Sequence, residues 1–278
     1  VFSELLEVFP APLGVHVGMD EVPRGAWSDD ADEEAALLAK LAAWLQRFLA
    51  DRGRSLLGWE EAFYDSTGLS ATSSPRPAAV AWKQDERFAA NAANGGLDVI
   101  LSPAHFLYFD IVQGLDFEDR GLYWAVPTLP VERVYSYEPM ERLQRLGLRA
   151  DATERVRGVQ AALWGETVAT AGRAEEMLFP RIFAAAEVGW TEPARRSWVD
   201  FQWRLPQQLR WFHTEWRVHY GGAVSGLLFG SETMMLPRLP PCGSGGPAGI
   251  AGLDDVCSSL VGGGDADLPQ VECFLPDQ

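Results

Sequence analysis

Short apolar runs alternate along this chain with longer stretches of helical periodicity. "GVHVG" (14–18) is followed by "SDDADEEAALLAKLAAWLQRFLADRG" (28–53), where Leu37, Leu41, Trp44, Leu45 and Phe48 recur at helical spacing and predict a buried stripe. Acids crowd the first turn of that helix, where they favour its dipole and can cap free N–H groups, and Gly53 stands where a C-terminal cap belongs. "SLLGWEE" (55–61), "AAVAWK" (78–83), "DVILSP" (98–103) and "VRGVQAALWGE" (156–166) predict four more strands. "DERFAANAANGG" (85–96) reads as a short helix closed by glycines, and "RAEEMLFPRIFAAAEVGW" (173–190) as a helix that Pro180 bends.

Strands that are apolar almost throughout, separated by helices, imply a parallel sheet covered on its faces. Two layouts satisfy that pattern: an open doubly wound sheet and a closed (β/α)₈ barrel. No G-x-G-x-x-G follows any strand, which weakens the dinucleotide-binding version of the first. Trp59, Trp82, Tyr108 and Trp164 each sit at or just past a strand's C-terminal end, accompanied by Asp20, Glu21, Asp110 and Glu166. A barrel gathers those ends on one face, where its chemistry happens. Five strands against the eight of closure predict an incomplete α/β barrel of the TIM type. Residues 1–220 are expected to form this partial catalytic domain, and the Gly/Pro-rich stretch 221–278 a disordered tail. The chain opens at Val1 with "VFSELLEVFP", which reads as the end of an amphipathic helix. The expectation is that an N-terminal part of the parent protein is absent, and this end assigns no localisation.

Composition removes several classes. A formal charge of −16 over 278 residues repels nucleic acid and anionic membrane, and no apolar run reaches the ~18–20 residues of a membrane helix. Cys242, Cys257 and Cys273 all lie near the C-terminus with neither a disulfide framework nor metal spacing. H-E-x-x-H and G-x-S-x-G are absent, so neither a metal site nor a cofactor is expected, and no nucleophilic serine is marked.

The candidate chemistry begins with "VHVGMDEV" (15–22), a strand that stops on two adjacent acids. Adjacent acids are common in so acidic a chain. Those at 29–30, 33–34 and 85–86 read as solvated helix starts, whereas Asp20 and Glu21 directly follow a buried strand and a glycine. Trp44, Trp190, Trp198, Trp203, Trp211 and Trp216 lie on helical patterns and read as packing. Trp59, Trp82 and Trp164 instead close strands beside Glu60, Lys83 and Gly165-Glu166. An apolar slab next to hydrogen-bonding groups suits a sugar ring, with its C–H faces and hydroxyl rim. His16, alternating with Val15 and Val17, reads as a hydrogen-bonded interior histidine in preference to a ligand, and the residues leave His105 undecided between the same two.

Together "VHVGMDEV", "GWEE", "AWK", "SPAHFLYFD", "VYSYEP", "RVRGVQAALWGE" and "MLFPRIFAAAEVGWT" occur in the order and approximate spacing of the β-N-acetylhexosaminidases, family 20 of the glycoside hydrolases. The chain resembles that family from about Val1 to Leu205, and the family fold is a (β/α)₈ barrel, of which these would be about the fourth to eighth strands. The resemblance implies that Glu21 is the general acid and then the base, that Asp20 orients the substrate's 2-acetamido group, and that Tyr108 hydrogen-bonds its carbonyl oxygen. It implies that Trp59, Trp82 and Trp164 wall the pocket and that Asp110 and Glu166 bind the outer hydroxyls. In this substrate-assisted, retaining mechanism the acetamido oxygen itself attacks, so one proton donor and one group to steady the amide suffice. The substrate class is then a glycan or chitin fragment ending in β-linked N-acetylglucosamine or N-acetylgalactosamine.

Two departures are visible. The family pattern Gly-Gly-Asp-Glu reads Gly18-Met19 here, which strains Met19 if its backbone is left-handed. The family's early strands, with a sugar-gripping arginine, have no counterpart. The alternatives are a catalytically silent fragment or sugar-binding remnant, and a glycosidase pairing Glu21 with Glu60 or Glu166 as a protein nucleophile.

Overall fold

A computed structural model of the chain describes residues 1–9, 14–64, 74–114, 120–218 and 220. The expected tail and its three cysteines lie outside them. In chain order the elements are α1 (Phe2–Val8), β1 (Gly14–His16), α2 (Ala31–Ala50), β2 (Ser55–Trp59), β3 (Ala78–Ala81), α3 (Arg87–Asn94), β4 (Asp98–Leu101) and α4 (Ala104–Leu107). They continue with α5 (Val131–Tyr135), α6 (Pro139–Arg145), β5 (Val156–Val159), α7 (Ala171–Leu178), α8 (Arg181–Trp190) and α9 (Trp198–Trp216). Three short 3₁₀ turns complete the set, at Glu60–Phe63, Ala150–Arg155 and Pro193–Arg195.

The five strands form one parallel sheet in the order β1-β2-β3-β4-β5. A doubly wound sheet reverses its strand order at a switch point. This order never reverses, so right-handed crossovers carry successive connections over the same face, as in a barrel wall. The α/β reading therefore holds, with the strands where the apolar runs predict them. β3 is buried at all four positions, which accounts for its uninterrupted apolar sequence. Between Val99 and Ile100 of β4 the register with β5 shifts, and Gly158 opposite adopts φ 142°, an angle that side chains rarely tolerate.

α2 begins on Asp30, whose carboxylate accepts from the N–H groups of Asp32 (2.9 Å) and Glu33 (3.2 Å), a cap of about 1 kcal/mol. Its buried stripe is Ala42, Leu45, Gln46 and Leu49, at i, i+3, i+4 and i+7. Leu41 and Trp44 face outward instead, and Trp44 stacks on Phe48 along the helix. The buried face is rotated from the predicted stripe because the large side chains set that stripe, while small Ala42 and Ala43 take up much of the buried face.

Three further expectations need correction. The run 173–190 is two helices, broken at Phe179-Pro180, because proline lacks the N–H that a continuous helix needs there. The helix tryptophans are not uniformly packing residues: Trp190 is 91% exposed, and Trp44, Trp211 and Trp216 are exposed as well. Glu86 is no solvated helix start. It is buried, accepting from Tyr137 Oη (2.6 Å) and pairing with Arg142 Nε (2.7 Å).

Two hydrophobic clusters make up the core. The first packs α2 and α3 against β1–β4, and the second packs α4, α5, α8 and α9 around Phe109 and Ile111. Among the described residues no helix is long and apolar enough to cross a membrane.

Candidate active site

Pairing between β1 and β2 continues past β1. Val17 N–H donates to Leu57 O (2.9 Å), and Trp59 N–H donates to Gly18 O (3.0 Å). The chain then turns sharply through Gly18 (φ 73°), Met19 (φ 75°) and Glu21 (φ 47°). Glycine is at ease there; Met19 carries a Cβ in the left-handed region, the strained case anticipated from its sequence. Asp20 is half-buried at this turn, and Glu21 beside it is exposed. His16 Nδ1 accepts from Gly18 N–H (3.2 Å), and its ring meets Trp59 edge-on at 5.2 Å. His16 is an exposed residue and not the interior histidine that its alternation with Val15 and Val17 suggests, because β1 is an outer strand. Partial burial of its ring still lowers the imidazole below its ordinary pKa, and the nearby charge of Asp20 opposes that shift.

β2 ends on Trp59 and runs into a turn whose first two residues are acids. Glu60, 2% exposed, accepts from Tyr64 Oη (2.6 Å) on one oxygen and from the Trp82 and Lys83 N–H groups (3.2 and 3.4 Å) on the other. Glu61 accepts from the Trp82 indole N–H (3.0 Å) and pairs with Lys83 Nζ (3.0 Å). These two carboxylates fix Trp82 through its backbone and its ring edge. Burial raises the Glu60 pKa despite its donors. With both oxygens engaged in holding the fold, Glu60 is poorly placed to serve as a free nucleophile.

After β4 the short helix α4 delivers Tyr108, which bridges to Ala162 beyond the end of β5. Phe109 N–H donates to Ala162 O (2.7 Å) and Ala162 N–H to Leu107 O (2.9 Å). That bridge brings Tyr108 and Trp164 together at 5.9 Å between ring centroids. Trp59 lies 5.8 Å from Trp164, and Trp82 stacks on Tyr108 at 6.2 Å with 14° between planes. The aromatic arc therefore runs His16, Trp59, Trp164, Tyr108, Trp82. Trp124 extends it edge-on, 6.0 Å from Trp82 and 6.1 Å from Tyr108.

Carboxylates surround this arc. Burial raises the Tyr108 hydroxyl above its ordinary pKa, a hydrogen bond from Trp164 opposes the shift, and the charges of Asp110, Asp20 and Glu61 raise it further. Tyr108 thus feels acids carried by three different strand ends. Asp110 is 1% exposed, and neither carboxylate oxygen has a well-formed hydrogen bond among the described residues. Burial raises its pKa, its own and Trp164's backbone N–H groups lie close enough to oppose that, and Glu166 raises it while Arg181 lowers it. A buried acceptor without a partner is a site for a donor still to arrive. Glu166 is exposed at the rim.

The structure therefore assembles Asp20, Trp59, Trp82, Tyr108, Asp110 and Trp164, with Glu166 at the rim and Glu21 exposed next to Asp20. His105, in α4, is buried against Arg142, Arg133 and Phe106. Sequence reasoning missed Trp124 and the bracing role of Glu61. Trp124 sits in "GLYWAVP", which belongs to no strand and reaches the site through a lone bridge between Ile111 and Leu122. Glu61 had only its place beside a strand-ending tryptophan to mark it. No group of three or more His, Cys, Asp or Glu side chains among the described residues could hold a metal ion.

The model of the glycosyl hydrolase family 20 catalytic domain matches residues 1–193. A beta-hexosaminidase of Vibrio furnissii is 32% identical over 200 residues, covering 68% of this chain and 31% of that protein. A beta-N-acetylhexosaminidase of Cellulomonas fimi is 32% identical over 228 residues, covering 81% of this chain and 42% of that protein. Among solved structures, a family 20 exo beta-N-acetylglucosaminidase from Vibrio harveyi in complex with N-acetylglucosamine superposes with a TM-score of 0.64 at 34% identity, covering 79% of this chain and 34% of that one. The Streptomyces plicatus N-acetyl-beta-hexosaminidase gives 0.63 at 28% identity, covering 79% and 40%. The chain thus spans between about a third and two-fifths of the length of these relatives.

Proposed function

Because the chain belongs to glycosyl hydrolase family 20, we propose that it acts as an exo-acting β-N-acetylhexosaminidase, releasing terminal β-linked N-acetylglucosamine or N-acetylgalactosamine with retention of configuration. The observation that carries this reading is the arc of Trp59, Trp164, Tyr108 and Trp82 with, two residues after Tyr108, the buried carboxylate of Asp110, which has no well-formed hydrogen bond among the described residues. A pyranose ring meets that arc through its C–H face, and its outer hydroxyls donate to the unpartnered oxygens of Asp110, with Glu166 at the rim.

Glu21 protonates the departing glycosidic oxygen as the acetamido oxygen forms its bond to the anomeric carbon. Asp20 holds the amide N–H and stabilises the positive charge that the closing ring acquires, and Tyr108 donates to the amide oxygen. Water then attacks the same carbon, giving its proton to Glu21, and the ring reopens to the acetamide. Two inversions at one carbon leave the configuration unchanged. The amide starts in line and needs no protein nucleophile, which is consistent with Glu60 being committed to Trp82 and Lys83.

We read the five strands as the later strands of a (β/α)₈ barrel, about the fourth to the eighth, within a domain of residues 1–220 followed by a Gly/Pro-rich tail. The unreversed strand order supports this. One observation favours a second reading, a sugar-binding remnant without turnover: Asp20 and Glu21 extend from β1, an outer strand of the sheet, whereas Tyr108 and Asp110 are packed inside. Turnover of a chromogenic N-acetylglucosaminide, inhibition by a thiazoline mimic of the cyclised intermediate, and a retained product anomer are the results expected of the enzyme. N-acetylglucosamine binding without turnover supports the remnant, and an inverted anomer defeats the mechanism.

A further inference from the structure

Trp82 is held at two points by acids to which the mechanism above gives no part. Its backbone N–H donates to Glu60 Oε2 (3.2 Å), and its indole Nε1–H donates to Glu61 Oε2 (3.0 Å). The Glu61 carboxylate is itself fixed, because its other oxygen pairs with Lys83 Nζ at 3.0 Å. Lys83 Nζ also donates to Tyr64 Oη, which donates in turn to Glu60 Oε1 (2.6 Å). These contacts close a ring, from the Trp82 backbone through Glu60, Tyr64, Lys83 and Glu61 to the Trp82 indole.

What the indole touches next is Tyr108. The two rings lie within 14° of parallel with centroids 6.2 Å apart, and Trp164 meets Tyr108 at a tilt of 58°. Stacking alone is a weak restraint that leaves an indole free to slide and turn in its own plane. The outer torsion of a tryptophan side chain is also broad, so packing sets its angle loosely. A hydrogen bond to an ionised acceptor is roughly twice as strong as a neutral one, and it has a direction. Glu61 supplies that bond at the single polar point of the ring. We infer that Glu61 is a positioning residue for Tyr108: it locks Trp82 by the indole edge, and the locked ring sets the plane on which Tyr108 stacks. Lys83 supports it by keeping the carboxylate aimed.

The consequence for turnover rests on the reading of Tyr108 as donor to the substrate's amide oxygen; the effect on the two rings does not. The test uses the 278-residue chain as wild type, Glu61→Ala, Glu61→Gln, Trp82→Phe and the double variant of Glu61→Ala with Trp82→Phe. NMR follows the Trp82 indole N–H and the Tyr108 ring, each assigned by its disappearance in Trp82→Phe or Tyr108→Phe. Turnover is measured on a chromogenic N-acetylglucosaminide. In Glu61→Ala the indole resonance should move upfield and the Tyr108 ring resonances should shift, with kcat/KM down about tenfold. Glu61→Gln keeps an oxygen for the indole and should recover most of that loss, to within about threefold of wild type. Trp82→Phe has no indole N–H, so adding Glu61→Ala there should cost less than about twofold and leave the Tyr108 resonances in place. Tyr108 resonances that do not respond to Glu61→Ala overturn the inference, as does the full loss or the full shift in the Trp82→Phe background. Should Glu61→Ala fail to fold, Glu61→Gln decides. A neutral acceptor should displace the indole and Tyr108 resonances by a smaller amount, and resonances identical to wild type overturn the inference. A chain without turnover defeats the hexosaminidase reading alone, since the two sets of resonances still report whether Glu61 acts on Tyr108 through Trp82.

Discussion

The two sides of the aromatic arc are built differently. On one side Tyr108 and Asp110 are buried, bridged to the end of β5 and surrounded by the second hydrophobic cluster. On the other, Asp20 and Glu21 continue from an outer strand, through a turn with three residues at positive φ, with Glu21 exposed. The first side has the rigidity that recognition of a sugar needs. The second leaves Glu21, the proposed proton donor, exposed where a bulky leaving group can approach. Substitutions on the two sides should therefore separate rate from stability.

The largest effect is expected on the open side. Glu21→Gln should lower turnover of a chromogenic N-acetylglucosaminide by about 10²–10⁴-fold, the range for loss of a general acid, with no change in unfolding midpoint. A variant that lost its fold together with its rate would show that the turn is structural and break the contrast. On the closed side, Tyr108→Phe removes one donor to the amide oxygen, and kcat/KM should fall about 10²-fold. Its ring still stacks on Trp82 and meets Trp164 at a tilt, so folding should be kept.

The strand ends could be read from the chain because both signals there are local. A buried parallel strand is apolar throughout, and a tryptophan beside an acid at its end stands out. What failed was set by partners far away. Glu86 looks like a solvated helix start in "DERF", and it is buried only because Tyr137 and Arg142, more than 50 positions on, meet it. Trp124 reaches the site through one bridge and leaves no periodic trace. Trp190 failed in the opposite sense: helical spacing placed it on a pattern, but the pattern does not say whether anything covers that face.

The closed side should also carry a pH dependence. Burial holds His105 at about 4, and the charges of Arg142 and Arg133 act in the same direction. Below about pH 6.5 the unfolded chain takes up a proton on this imidazole that the folded chain refuses until about pH 4. The stabilisation from keeping it neutral is complete above pH 6.5 and is lost as pH falls towards 4, by up to about 3 kcal/mol. Asp110 and Glu60 work the other way, since their raised values make the folded chain the better proton acceptor as pH falls. The comparison that isolates the histidine is wild type against His105→Gln, with unfolding midpoints measured at pH 7 and pH 4.5. Wild type should lose more on acidification than the variant. Equal losses would mean that His105 titrates normally, and that this side is less closed than its packing implies.

The smallest effect belongs to the turn itself. Met19 adopts φ 75°, where a side chain costs roughly 1–3 kcal/mol, but the same side chain packs against the first hydrophobic cluster. Met19→Gly relieves the strain and gives up part of that packing, a loss of about 1–2 kcal/mol for a partly buried side chain. The net change should be within about 1 kcal/mol and in favour of glycine, with turnover retained, because Asp20 and Glu21 keep their backbone path. Thermal unfolding of the variant reads the balance. A marked loss of stability would mean that the thioether anchors β1 to the core, making the open side as dependent on packing as the closed one.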